Sequence, residues 1–121
     1  METIVVQDTD SAILDVLTQA LEMEGFEVFP LRECDEDFLT VMDRVRPHVV
    51  MLDYKLAGEA CIKICRQIKE KYPQVPVLAL SCNHNIHNEY DLNGFDGYIK
   101  KPFDLDLLYN VLRKHIVKPG S

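Results

Sequence analysis

The stretch Val49-Val50-Met51-Leu52-Asp53 is an unbroken apolar run that ends in one carboxylate. An apolar run without alternation predicts a strand that is buried on both faces, as the central strands of parallel sheets are. In open parallel sheets, ligands bind beyond the carboxyl ends of the strands, so Asp53 stands where a site is expected. A single aspartate after a strand can also simply begin a loop. The residues that follow the other strands decide between these two interpretations.

Short apolar stretches alternate along the chain with segments whose apolar residues recur at helical spacing. The apolar stretches lie at residues 4–6, 26–29, 49–53, 75–80 and 97–99, and Pro30 is expected to close the second. The predicted helices begin at Asp10 or Ser11, at 35–37, at about residue 60 and at Asp104, with a short fourth helix at 89–92.

This alternation predicts an α/β fold: a doubly wound, five-stranded parallel sheet with helices on both faces. Because crossovers are right-handed, we expect the flavodoxin-like strand order 2-1-3-4-5. Residues 1–118 are expected to form this one domain, and 119–121 a tail.

Composition and charge exclude several classes of protein. The formal net charge of −7 argues against nucleic-acid binding, which needs clusters of lysine and arginine. No apolar run approaches the roughly 18 to 20 residues of a membrane span. The start, Met1-Glu2-Thr3, lacks the basic region of a signal peptide, so a cytoplasmic location is expected. The four cysteines (Cys34, Cys61, Cys65 and Cys82) are then expected to be reduced and to pack in the core.

Polar side chains follow four of the predicted strands at one edge of the sheet. Gln7 and Asp8 follow the first, Asp53 ends the third, Ser81 follows the fourth and Lys101 follows the fifth. Neighbouring carboxylates repel unless a cation lies between them, and hard oxygen ligands suit Mg²⁺. A lysine and a serine hydroxyl suit a phosphoryl group. The edge therefore predicts a small phosphoryl-transfer site with Asp53 as the nucleophile.

Four stretches in this order resemble the receiver domain of two-component response regulators, and the resemblance covers residues 2 to about 117. They are Ile4-Val5-Val6-Gln7-Asp8, Pro47-His48-Val49-Val50-Met51-Leu52-Asp53, Pro76-Val77-Leu78-Ala79-Leu80-Ser81 and Gly97-Tyr98-Ile99-Lys100-Lys101-Pro102-Phe103. The resemblance implies a phosphoacceptor signalling domain, not an enzyme. Its implied partners are a sensor histidine kinase or phosphotransfer protein and an output protein of unknown identity. A second copy of the chain would bind through the fourth helix, fifth strand and fifth helix.

The resemblance also implies a metal site and a phosphoryl site. Asp8 and Asp53 would bind Mg²⁺ together with the backbone carbonyl of Lys55, and Gln7 would hold a metal-bound water. Receiver domains usually carry an acid where Gln7 stands, so weaker Mg²⁺ binding is expected.

At the phosphoryl site, Asp53 would accept the group from phosphohistidine. Ser81 would then hydrogen-bond the group, and Lys101 would pair with Asp53 or its phosphate. Tyr98 matches the aromatic residue that moves inward on activation.

Two alternatives remain open from the sequence. A degenerate receiver would act as an interaction module without phosphorylation. Asp8-Thr9-Asp10 also has the Asp-x-Asp form of haloacid-dehalogenase-like phosphohydrolases, in which Asp8 would be the nucleophile and Asp10 the general acid.

Overall fold

A computed structural model of the chain describes residues 2–33, 37–54, 59–81, 86, 94–101 and 104–116. Its strands and helices are β1 (Thr3–Gln7), α1 (Ser11–Met23), β2 (Glu27–Leu31), α2 (Asp37–Val45), β3 (Val49–Asp53), α3 (Glu59–Lys71), β4 (Val77–Ser81), β5 (Gly97–Lys100) and α4 (Leu105–His115). The strands form one parallel sheet in the order β2-β1-β3-β4-β5. The predicted fold class and strand order are confirmed.

Two apolar cores lie on opposite faces of this sheet, because successive side chains of a strand point to opposite faces. Val49 and Met51 pack in the core that α1 and α4 cover, whereas Val50 and Leu52 pack in the core that contains residues of α2 and α3. Every residue of β3 is buried, which agrees with its unbroken apolar sequence. The sheet therefore holds the end of β3 rigidly from both sides.

Two of the predicted helix starts are confirmed by their caps. The carboxylate of Asp10 accepts hydrogen bonds from the backbone N–H groups of Ala12 and Ile13, and Asp104 accepts one from Asp106. A glycine stands just beyond the other end of α1. This residue, Gly25, has φ +94°, a conformation that glycine adopts without strain.

The prediction that Pro30 closes the second strand is wrong. The strand β2 continues through Pro30 to Leu31, and Pro30 lies opposite Val6 of β1. The N–H of Glu27 donates to the carbonyl of Glu2, and the carbonyl of Leu31 accepts from the N–H of Asp8. Because the backbone groups of successive residues in β2 point alternately towards β1 and away from it, the nitrogen of Pro30 points to the open edge of the sheet. A proline that lacks its N–H is tolerated there because no neighbouring strand needs the donor.

Other boundaries moved by one to two residues. The strand β4 begins at Val77 instead of residue 75, and β5 extends to Lys100. The predicted core positions Cys61 and Cys65 are both buried. The remaining cysteines Cys34 and Cys82, the short helix at 89–92 and Lys55 lie outside the described residues.

Candidate functional site

Three charged side chains meet at the carboxyl edge of the sheet. Asp8 directly follows β1, Asp53 is the last residue of β3, and Lys101 directly follows β5. The backbone N–H of Lys101 donates to the carbonyl oxygen of Ser81 (2.7 Å), which continues the pairing of β4 with β5 by one residue. The side chain of Lys101 therefore starts from a fixed point on the sheet.

The ammonium of Lys101 bridges the two carboxylates. Its Nζ lies 2.6 Å from Oδ2 of Asp8 and 2.9 Å from Oδ1 of Asp53. The side chains are 10%, 1% and 5% exposed for Lys101, Asp8 and Asp53, so little water screens this triad. Two carboxylates and one ammonium leave one net negative charge at the edge.

This arrangement sets the protonation state of the lysine. Burial by itself lowers the pKa of Lys101, but the hydrogen bonds and coulombic attraction of Asp8 and Asp53 outweigh it, and the pKa lies above its ordinary value. Lys101 is therefore a permanent cation that faces both carboxylates. Such a charge can also stabilise the oxygens of a phosphoryl group.

The loop after Asp8 supplies two more contacts. The backbone N–H of Asp10 donates to Oδ1 of Asp8 (2.9 Å), and the Thr9 hydroxyl lies 3.4 Å from Oδ2 of Asp53. Sequence reasoning missed Thr9 as a site residue. Its one signal was a hydroxyl directly after the predicted ligand Asp8, in the loop at the edge of the sheet.

Gln7 lies under the site and is 2% exposed. Its amide Nε2 donates to the carbonyl oxygen of Arg32 (2.9 Å), and its Oε1 accepts from the backbone N–H of Asp53 (3.1 Å). The side chain thus connects the residue after β2 with the last residue of β3. Oε1 has a second lone pair, which can accept the predicted hydrogen bond from a water molecule.

Ser81 and Tyr98 lie on neighbouring strands, on the same face of the sheet. Ser81 ends β4 and is buried, and strand alternation from Val77 and Ala79 puts it on the face that Tyr98 also packs against. Tyr98 is half-buried beside this core. The resemblance predicts that Tyr98 moves inward on activation, and Tyr98 shares this face with Ser81, the predicted contact of the phosphoryl group.

The donor set at the edge fits a magnesium ion. The described residues contain no cluster of three or more His, Cys, Asp or Glu side chains arranged to hold a metal. Mg²⁺ does not need one, because it keeps several waters and binds through one or two carboxylates plus phosphate oxygens. Asp8 and Asp53 provide two such carboxylates and a net negative charge. The carbonyl of Lys55 lies outside the described residues.

The geometry gives the hydrolase alternative little support. Oδ1 of Asp10 caps α1 by accepting from two backbone N–H groups, which assigns this carboxylate to the start of the helix. Asp8 is also more buried than Asp53, with its oxygens bonded to Lys101 and to the Asp10 N–H.

None of the described helices has both the length and the apolar character for crossing a membrane.

Comparison with known families shows which family the chain belongs to. The profile of the response regulator receiver domain matches residues 4–113, which is most of the chain. The chain belongs to this family. The hypothesis drawn from four short sequence stretches is thereby confirmed at the level of the family, and the two-component class of signalling protein with it.

Solved receiver structures have the same fold over nearly the whole chain. The response regulator TrrA of Thermotoga maritima, in complex with Mg²⁺ and BeF, is 22% identical with a TM-score of 0.83, covering 96% of this chain and 100% of that one. The NtrX receiver domain of Brucella abortus is 28% identical with a TM-score of 0.81, covering 93% and 96%. The BeF3-activated receiver domain of DrrB is 32% identical with a TM-score of 0.79, covering 95% and 97%.

Proposed function

We propose that this receiver domain accepts a phosphoryl group on Asp53, in a Mg²⁺-dependent reaction, from a sensor histidine kinase or phosphotransfer protein. The observation that carries the proposal is the bridge from Lys101 Nζ to Asp8 Oδ2 (2.6 Å) and Asp53 Oδ1 (2.9 Å) at the carboxyl edge. It brings an acceptor, a second acid and a phosphate-binding cation into one small site.

The transfer exchanges one bond to phosphorus for another. A carboxylate oxygen of Asp53 attacks the phosphorus atom of the donor phosphohistidine, and a P–O bond forms while the P–N bond breaks. The electron pair of the broken bond returns to the imidazole of the donor, which takes up a proton from solvent. Lys101 stabilises the negative charge on the phosphoryl oxygens, and Ser81 donates a hydrogen bond to the group once it is attached.

Asp8 and Asp53 would hold the magnesium ion, with the Lys55 carbonyl as a third ligand and Gln7 holding a bound water. When bound, Mg²⁺ neutralises charge on the phosphoryl oxygens. TrrA is described in complex with Mg²⁺ and BeF, and we propose that the same pair binds at the Asp53 edge of this chain.

The phosphorylated domain would act by protein contact in the cytoplasm. We propose that Tyr98, which lies on the same face as Ser81, moves inward and changes the surface formed by the short helix that the sequence predicts at 89–92, the strand β5 and the helix α4. An output protein or a second copy of the chain would bind this surface. The domain itself would span residues 1–118 and catalyse at most its own phosphorylation and dephosphorylation.

Incubation with a small acyl phosphate and Mg²⁺ tests the proposal. Intact mass should show a single phosphoryl adduct, and peptide mapping should place it on Asp53. Asp53→Asn should abolish the adduct, and omission of Mg²⁺ should prevent its formation. An adduct that survives Asp53→Asn would contradict the assignment of the acceptor. A chain that takes no phosphoryl group from any donor but still binds an output protein would be a degenerate receiver.

A further inference from the structure

The side chain of Gln7 bridges two parts of the backbone at this edge. Its Nε2 donates to the carbonyl of Arg32 (2.9 Å), and its Oε1 accepts from the N–H of Asp53 (3.1 Å). These partners fix the orientation of the amide, because a carbonyl can only accept and an N–H can only donate. The residue is 2% exposed, and its hydrogen bond to Asp53 is buried whereas the one to Arg32 is partly buried.

We propose that Gln7 is a positioning residue: it fixes the backbone of Asp53, and so the direction of the acceptor carboxylate, by tying it to the residue that follows β2. This inference rests on the proposed phosphorylation of Asp53. It gives Gln7 a role in addition to holding a metal-bound water.

The chemistry of the two partners explains why an amide suits this position. An ionised glutamate would keep an acceptor for the Asp53 N–H but would turn an oxygen towards the carbonyl of Arg32, where two acceptors repel. A neutral amide also adds no charge, so Lys101 is shared by Asp8 and Asp53 alone. The bridge thus holds the acceptor while leaving the charge balance of the edge unchanged.

Two variants separate positioning from charge. Gln7→Met has a similar length but neither hydrogen bond, and Gln7→Glu keeps only the acceptor for Asp53. Three quantities are measured on each: hydrogen exchange of the Asp53 amide, affinity for Mg²⁺ alone by calorimetry, and the rate of adduct formation from a small acyl phosphate at saturating Mg²⁺. Gln7→Leu replaces Gln7→Met if the latter does not fold.

We expect Gln7→Met to speed exchange of the Asp53 amide about tenfold and to slow adduct formation about tenfold at saturating Mg²⁺, since one buried hydrogen bond is lost at the acceptor. Its Mg²⁺ affinity should fall as well, because methionine cannot hold the metal-bound water, but saturating Mg²⁺ removes this effect from the measured rate. Gln7→Glu should restore only part of the slow exchange at Asp53 and part of the rate, because the hydrogen bond to Arg32 stays lost, and it should bind Mg²⁺ more tightly.

Tyr109→Phe is the matched control. It removes a partly buried hydrogen bond to the carbonyl of Ala20 (2.9 Å) away from the site, so it should lower stability without slowing phosphorylation. The inference is overturned if Gln7→Met exchanges at Asp53 like the wild type, or if its rate at saturating Mg²⁺ equals that of the wild type. If the wild type itself takes no phosphoryl group, the proposed function fails, and the exchange at Asp53 alone decides whether Gln7 holds that backbone.

Discussion

The charge of Lys101 determines how two buried carboxylates coexist at the edge of the sheet. Asp8 and Asp53 both contact its ammonium, and neither side chain is more than 5% exposed. Removing one partner from such a buried set of ion pairs usually costs about 3–5 kcal/mol of stability, because the remaining charge is left uncompensated. The site is therefore held together by the same charges that a metal and a phosphoryl group would use, and binding must rearrange these contacts.

Thr9 should contribute modestly to phosphorylation. Its hydroxyl lies 3.4 Å from Oδ2 of Asp53, longer than an ideal hydrogen bond, so we expect less than the roughly 1 kcal/mol of a typical one. Thr9→Val should slow adduct formation about threefold to fivefold. Thr9→Ser keeps the hydroxyl and should react like the wild type. Equal rates for the valine and serine variants, measured by time-resolved intact mass, would show that the contact has no role in the reaction.

Cys65 should make the protein less stable at alkaline pH. Burial, with a smaller effect of Asp96, raises the pKa of the Cys65 thiol from 9.0 to about 12. The unfolded chain thus loses this proton near pH 9, while the folded protein keeps it until about pH 12. Within that window the folded state binds more protons, so the free energy of unfolding falls as the pH rises, by about 1.4 kcal/mol per pH unit from this group.

Denaturant unfolding of the wild type and Cys65→Ala at pH 7 and between pH 9 and 11 checks this prediction. At pH 7 the variant should be less stable by a constant amount, because it leaves a small cavity in the core. Above pH 9 the difference should shrink as the wild type loses the contribution of its thiol. Parallel curves over the whole range would rule out a raised pKa at Cys65.

At the scale of the elements, the N-cap of α1 is separate from the chemistry beside it. Asp10 follows Asp8 by two residues, yet its carboxylate is bonded to the first turn of α1. Asp10→Ala should cost about 1 kcal/mol of stability, whereas Asp10→Ser should retain the cap and most of that stability. Adduct formation on Asp53 should proceed at the wild-type rate in Asp10→Ser. A large loss of reaction in that variant would show that the Asp10 carboxylate takes part in the chemistry at Asp53.

The elements were largely predictable because each has a pattern that depends on local sequence alone. The apolar run at β3 and the capping residues Asp10 and Asp104 indicated a type of structure directly. The extent of β2 was not predictable, since the tolerance of Pro30 depends on which strand lies at the edge of the sheet. The strand order follows from the packing of the whole chain, so the rule that a proline ends a strand gave the wrong last residue for β2.

The same division holds for the candidate site. Its charged members Asp8, Asp53 and Lys101 could be placed together because the ends of parallel strands meet at one edge. The partners of Gln7 could not, because they depend on a side-chain conformation and on the loop at Arg32, which is 25 residues away in the sequence. Thr9 was missed for the same reason.

For the whole molecule, a ligand that binds only the folded state must raise its stability, and this tests the site without any kinase. Mg²⁺ with beryllium fluoride should increase the free energy of unfolding by about 2.7 kcal/mol at a concentration one hundred times its Kd. Mg²⁺ alone should give a smaller increase in the free energy of unfolding, because Asp8 and Asp53 attract the cation but also remain paired with Lys101. Fluoride complexes without Mg²⁺ should have little effect, because the edge carries net negative charge.

Asp53→Asn should remove the effect of beryllium fluoride, as measured by denaturant unfolding at fixed ionic strength. An equal increase in that variant would place the ligand elsewhere, and no increase in the wild type would favour a receiver that signals without a phosphoryl group.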